Sequence, residues 1–290
     1  MVFDEAGTYT IEYTATDECG NTTNAERTVI VEAPPTYRTV LYTDGTFIIN
    51  ESSRDEAANV ALHGQPTNVY APFDPNGATN VDKYIFSYFD SVLWYNQKSS
   101  ISSIEIGSEI APTSCRFWFS ECSNCTSINV SHLDTRNLTS MQEMFYGCSS
   151  LTTLDLSNFD TSNVRIMQGV FRSCSLLTSV DLSSFNTSNA ENMENMFASC
   201  NALTSLDLSG FNTSNVEVMS SMFKNSKNIV TIYVSSDFNV TQVTSSSDMF
   251  YNCTHLVGGA GTVWSSSYTD KTYAHIDGGV SDPGYFTARS

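Results

Sequence analysis

The chain has 290 residues and a formal net charge of −18 at pH 7, and 15% of its residues are charged. Apolar residues make up 40%, which is enough for a packed core and excludes a largely disordered chain. The acidic balance argues against nucleic acid and against an anionic membrane surface as partners, since both need clustered lysine and arginine. The apolar runs are too short to span a bilayer.

The first predicted elements in chain order are two β-strands. Residues 8–16 and 27–31 alternate apolar and polar side chains on either side of a turn-rich segment at 17–24. Two strands alone are marginally stable in water, so we read residues 1–33 as the last strands of a β-sandwich. Residues 34–36 are a predicted linker. Residues 37–100 are the predicted N-terminal cap of a longer stack, with a hairpin at 40–49 that turns at Asp44-Gly45.

A repeat dominates the rest of the chain, over residues 101–256. Six phenylalanines mark it, four times at an interval of 26 residues and finally at 27: Phe119, Phe145, Phe171, Phe197, Phe223 and Phe250. A cysteine lies three residues after each, except that Ser226 takes its place once. Strand cores are predicted near 104–106, 128–130, 154–156, 180–182, 206–208 and 232–234, and residues 257–290 are a predicted C-terminal cap.

Each unit changes its apolar period halfway. Leu154 and Leu156 flank a polar residue, as in a short strand. From Val164 to Cys174 the apolar residues recur at helical spacing. We therefore predict an α/β fold, a right-handed solenoid with one short strand and one short helix per 26-residue turn. Neighbouring helices pack about 8–10 Å apart, whereas neighbouring strands lie about 4.8 Å apart. The stack should therefore curve, with the strands on its concave side.

The repeat resembles the BspA-like leucine-rich repeats of bacterial surface proteins. The copies at 154–177 (LDLSNFDTSNVRIMQGVFRSCSLL) and 206–229 (LDLSGFNTSNVEVMSSMFKNSKNI) carry most of that pattern, and the tail from Gly258 to Phe286 is similar to the end of this family. Departures are Ser226, Tyr233 and the last interval. Residues 1–33 more loosely resemble the final strands of a bacterial Ig-like repeat, a resemblance that leaves open whether Cys19 is disulfide-bonded to a partner outside this sequence. The resemblance implies display outside the cell and binding to host proteins or neighbouring cells.

The cysteines are predicted to pack the core. Cys122 and Cys125 form a CxxC, which can hold zinc or act in redox chemistry, but both fall in apolar columns of the repeat. We expect reduced thiols, because helical spacing would keep the cysteine column beyond bridging distance. The asparagine column Asn137, Asn163, Asn189 and Asn215 is predicted to be buried and to bond loop backbone between turns.

No catalytic motif is present, so we expect no enzyme, no cofactor and no metal. We predict a protein that binds through outward strand positions, with Tyr233 as the strongest candidate for a dominant contact. These positions are Thr153, Asp155, Ser157, Ser179, Asp181, Ser183, Ser205, Asp207, Ser209, Thr231 and Tyr233. The three aspartates are a solvated row or, alternatively, a cation site.

The expected partners are host or bacterial proteins outside the cell, and the expected location is extracellular or on the cell surface, with the fragment a monomer and not inserted in a membrane. One alternative is a structural spacer, or a virion-surface display protein without a specific ligand. A carbohydrate-active enzyme is the weakest alternative, since only the spacing of the aspartates favours it.

Overall fold

The computed structural model describes residues 7–16, 22–31, 37–42, 44, 46–51, 66–69, 95–107 and 109–289. The chain divides into two compact units, Met1–Thr36 and Tyr37–Ser290. Cys19, the predicted linker at 34–36 and most of the predicted N-terminal cap lie outside the described residues.

The first unit contains an antiparallel pair of strands. Strand β1 (Gly7–Thr16) pairs with β2 (Thr22–Val31) in a register that runs from Gly7 opposite Val31 to Thr16 opposite Thr22. The two predicted strands are confirmed, and β2 begins five residues before the predicted start at residue 27 because the pairing extends further towards the turn.

The second unit begins with the predicted hairpin. Its strands β3 (Tyr37–Tyr42) and β4 (Thr46–Glu51) are antiparallel, and β5 (Pro66–Val69) pairs with β3. Strand β4 then runs parallel to β6 (Ser103–Ile106), which is parallel to β7 (Ser127–Asn129). The hairpin therefore joins the sheet of the first repeats, in the strand order β5-β3-β4-β6-β7.

The later repeats form a second parallel sheet, in which β9 lies between β8 and β10. Its strands are β8 (Ser205–Leu208), β9 (Thr231–Val234) and β10 (Phe286–Ala288). Four of the six predicted strand cores are thus strands. Segments 154–156 and 180–182 are not, although Leu154 and Leu156 are buried, Asp155 is exposed, and the Thr178 amide donates to the Thr152 carbonyl at 3.0 Å.

Turns occupy the segments predicted as helices. The described residues contain no α-helix, and their helices are three short 3-10 helices, Tyr95–Ser100, Lys271–Tyr273 and Gly279–Ser281. In the unit from 141 to 148 every second amide donates to a carbonyl 25 residues ahead, at 2.8–3.1 Å. Of the amides between them, those of Met144, Tyr146 and Cys148 donate to the carbonyl three residues back, at 3.1–3.2 Å, and that of Gln142 donates to the Ser140 hydroxyl at 3.3 Å. Glu143 and Gly147 have φ of 52° and 72°, in the left-handed region, which a continuous α-helix excludes.

The same backbone pattern recurs in each unit. Left-handed residues four apart occur as Phe117 and Glu121, Glu143 and Gly147, Gly169 and Ser173, Asn195 and Ser199, Ser221 and Asn225, and Asp248 and Asn252. The predicted helix spacing of 8–10 Å is therefore wrong, because hydrogen bonds join the units on this side as they do between strands. Adjacent rings of the phenylalanine column accordingly lie 5.5–6.0 Å apart, centroid to centroid.

Buried hydroxyls and thiols connect the units inside the stack. Thr187 is 1% exposed. Its hydroxyl accepts from the backbone N–H of Asn212 and donates to the backbone carbonyl of Asn212, both at 2.9 Å. The thiols of Cys148, Cys174, Cys200 and Cys253 each donate to a phenylalanine carbonyl of the preceding unit, at 3.0–3.1 Å. Ser226 makes the equivalent bond to Phe197 at 2.6 Å, which explains why serine replaces cysteine there.

A buried carboxylate organises the C-terminal cap. Asp277 is 7% exposed and accepts from the amides of Ala260, Thr262 and Gly279 at 2.9 Å, and from the Thr262 hydroxyl at 2.7 Å. Burial opposes its ionisation, but these hydrogen bonds outweigh burial and hold the pKa of Asp277 well below its usual range. Gly258 fits beside it because a Cβ there would lie 2.2 Å from the Gly284 carbonyl oxygen.

Candidate functional site

The predicted binding positions all point outward from the strand segments of the repeats. We call this surface the strand face. Eight of its positions are exposed: Thr153, Asp155, Ser157, Ser179, Asp181, Ser183, Ser205 and Asp207. Three, towards the C-terminal cap, are half-buried: Ser209, Thr231 and Tyr233. Asp207 pairs directly with Tyr233 in the register of β8 and β9, so equivalent positions of neighbouring units are adjacent there.

The aspartates of the strand face also shape the turns after them. Each Oδ1 accepts from the backbone amide two residues later, that of Ser157, Ser183 or Ser209, at 2.9–3.0 Å. The amides of Ser157 and Ser183 lower the pKa of Asp155 and Asp181 through these bonds. Sequence reasoning missed this role, although an aspartate two residues before a serine is a recognised turn signal.

A groove of about 210 Å³ lies between two successive strand segments of this face. One wall is formed by residues 180–183 and the other by Asp207, Ser209 and Gly210. Its lining therefore includes two of the aspartates, Asp181 and Asp207, together with apolar Val180 and Leu182. Because segment 180–182 is not a strand, no ladder of strand hydrogen bonds is assigned between it and β8.

An arginine from the C-terminal cap lies across one end of the strand face. The Arg289 guanidinium is 2.5 Å from an Asp207 carboxylate oxygen, and its central carbon is 5.2 Å from the centre of the Tyr233 ring. The backbone amide of Arg289 donates to the Val234 carbonyl at 3.0 Å, which extends the pairing of β10 with β9. Sequence reasoning missed Arg289, because β10 lies next to β9 in space but not at the 26-residue interval.

The asparagine column does connect the units, but at the surface. Asn163, Asn189 and Asn215 are exposed, and each Nδ2 donates to a carbonyl of the preceding unit at 2.7–2.8 Å. The predicted bonding between turns is confirmed for these three residues. Their predicted burial is wrong, since the amides bind carbonyls at the rim of the stack. Inside the stack, the threonine two residues before each of these asparagines is buried instead.

The seven described cysteines are buried and none is disulfide-bonded. The expected reason, helical spacing, does not apply, and the thiols of Cys148, Cys174, Cys200 and Cys253 are instead held by carbonyl acceptors. Burial raises the pKa of Cys174 to about 12 and that of Cys125 to about 11, which keeps both protonated near neutral pH. The CxxC cysteines therefore belong to the core.

The described part of the chain lacks two further features. Those residues contain no group of three histidine, cysteine or acidic side chains arranged to hold a metal ion. They also include no helix with the length and apolar character that crossing a bilayer requires.

Comparison with known protein families gives two matches. Residues 3–31, which include β1 and β2, match the bacterial surface protein Ig-like domain. Residues 113–235 and 206–276 match the family described as Mycoplasma protein of unknown function, DUF285. The searches of curated proteins and of solved structures found no match. The Ig-like match supports a cell-surface protein. Because the two repeat matches together span residues 113–276, more than half of the chain, the protein belongs to the DUF285 family.

Proposed function

We propose that this protein is a non-catalytic binding module on the cell surface, which recognises proteins of a host or of neighbouring cells. Its repeats would form a BspA-like leucine-rich-repeat solenoid, in which each unit has one strand segment and one segment built of turns. The strand face would be the concave binding surface. Solenoids present such extended surfaces to protein partners.

One observation carries the proposal. Polar side chains recur at equivalent positions of the strand face, while the leucines and the isoleucine between them are buried in the shared core and half-buried Val180 packs against it. The face thus presents hydroxyls and carboxylates on a backbone that hydrogen bonds between units hold in place. A rigid array of this kind reduces the entropy cost of binding a partner.

The test is adhesion of beads coated with the full chain to layers of host or bacterial cells. A strand-face variant carries Thr153→Lys, Ser179→Lys and Ser205→Lys, which place long charged side chains on three exposed positions. We expect its bead retention to fall at least about tenfold, the effect of losing about 1.4 kcal/mol of binding energy.

A control variant carries the same added charge on exposed positions away from the strand face: Leu176→Lys, Gln242→Lys and Thr254→Lys. It should retain beads like the wild type. Equal retention by both variants would refute binding through the strand face. Failure of the wild-type chain to retain beads on any cell layer would favour the alternative of a structural spacer.

A further inference from the structure

We propose that Asp207 and Tyr233 form a binding site for a guanidinium group, which Arg289 fills from within the chain and which an arginine of a partner protein takes over. This inference rests on the proposed function, because it names the chemistry of the partner that the strand face receives.

The site is observed with a guanidinium in place. Arg289 contacts two chemically different groups at once, the Asp207 carboxylate at 2.5 Å and the face of the Tyr233 ring at 5.2 Å. Planar guanidinium groups favour this combination, since they form directional bonds to carboxylates and stack on aromatic rings. The two groups come from adjacent strands in register, so backbone pairing fixes their separation.

The occupant is held weakly enough to be displaced. The side chain of Arg289 is 52% exposed and that of Asp207 is 43% exposed, so water can reach both charges. Ion pairs at such sites are weak, because water screens the two charges. The Arg289 backbone is held independently, because its N–H donates a hydrogen bond to the Val234 carbonyl, so the side chain can leave while the cap stays closed.

A partner's side chain has a route to the site. Asp207 also lines the groove of about 210 Å³, opposite Asp181, and Ser209 and Gly210 complete that wall. Of the three aspartates on the strand face, Asp207 alone has an ion-pair partner within the described residues. An arginine that enters along the groove would therefore pass a second carboxylate before it replaces Arg289.

The test uses the full chain and a fluorescein-labelled tetra-arginine peptide in low-salt buffer, with a tetra-lysine peptide for comparison. Removal of the internal competitor by Arg289→Gln should tighten binding of tetra-arginine by about two- to fivefold, the range of an exposed ion pair. Adding Asp207→Asn to this variant should abolish the gain. Adding Tyr233→Leu should reduce the preference for arginine over lysine.

The matched control is Arg165→Gln. Arg165 pairs with Glu191 at 2.6 Å between neighbouring units, with side-chain exposures of 65% and 47%, and its replacement removes the same charge elsewhere on the surface. Its effect on peptide affinity should be small. Equal gains in the two variants would overturn the proposal, because general electrostatic attraction would then explain both, and so would a gain that survives Asp207→Asn.

Unfolding is checked separately through tryptophan fluorescence, to which Trp264 of the cap contributes; its ring nitrogen donates to the Phe250 carbonyl at 2.8 Å. The melting transition of Arg289→Gln seen by this probe should match that of the wild type. The peptide result and the bead result are independent. A strand-face variant that still binds cells would refute the proposed function, whereas a peptide that ignores Arg289→Gln would refute the guanidinium site.

Discussion

Replacement of Phe171 by alanine should strongly destabilise the repeat stack. The Phe171 side chain is fully buried, and its ring lies between those of Phe145 and Phe197, at centroid distances of 6.0 and 5.5 Å. Truncation of a buried phenylalanine costs about 3–5 kcal/mol through lost burial and the cavity left behind. Loss of two stacked ring contacts places this site at the upper part of that range.

The measurement is urea-induced unfolding, monitored by circular dichroism and by tryptophan fluorescence. Phe171→Leu keeps most of the volume and should cost less than about 2 kcal/mol. Leu176→Ala, at a side chain of the same unit that is 52% exposed, should change stability by less than about 0.5 kcal/mol. A loss below about 1 kcal/mol for Phe171→Ala would show that the column is not a packed core and that the register of the units is wrong.

Substitutions at three other residues test polar groups in the cap, between two units and in a turn of the strand face. Asp277→Asn should destabilise the cap by about 2–4 kcal/mol at neutral pH, because a charged acceptor of several backbone amides is lost. Since folding lowers the pKa of Asp277, its contribution is present above about pH 4 and is lost as the pH falls below that value. Urea unfolding between pH 5 and pH 2.5 should therefore show a steeper loss for the wild type than for Asp277→Asn. Ser226→Ala should cost about 1–3 kcal/mol by leaving the Phe197 carbonyl without its donor, whereas Ser226→Cys should restore that bond, as chemical denaturation would show. Asp181→Asn keeps an oxygen that accepts from Ser183 and removes the repulsion between Asp181 and Asp155, so its melting temperature should equal or slightly exceed that of the wild type, and Asp181→Ala should melt lower. A melting temperature that calcium raises in the wild type but not in Asp181→Asn would mean that the aspartate row binds a cation.

The period of 26 residues made the core predictable. Once Phe171 and its equivalents are aligned, each column is predicted to be buried or exposed, and the structure keeps that division for the strand segments with exceptions such as half-buried Val180, Thr231 and Tyr233. The repeat could also be aligned without knowing which secondary structure filled its second half. Burial depends on the spacing of apolar residues, whereas secondary structure depends on the backbone angles between them.

The helix prediction failed because the spacing of apolar residues does not determine the backbone angles between them. Met141, Met144, Phe145 and Cys148 have helical spacing, but a series of turns brings the same residues to one side. The residue that decides is the left-handed one at the position of Glu143, where one other unit has phenylalanine and the remaining four have glycine, asparagine, serine or aspartate. That composition is typical of turns and was a usable signal. The sequence carried no signal for the position of Arg289 beside Asp207, because that position depends on how the C-terminal cap folds back onto β9.

The uniform bonding between units has a mechanical consequence. Because backbone, threonine, asparagine and thiol groups all bond along the stacking direction, a tensile load in that direction is shared by every bond between two units. A load applied through one end of the chain instead peels the outermost unit, whose bonds break while the next interface stays intact. Each detached unit of 26 residues releases about 90 Å of extended chain. Pulled from its C-terminal end in a force microscope, the stack should therefore lengthen in steps of about that size, after a first event that opens the cap held by Asp277.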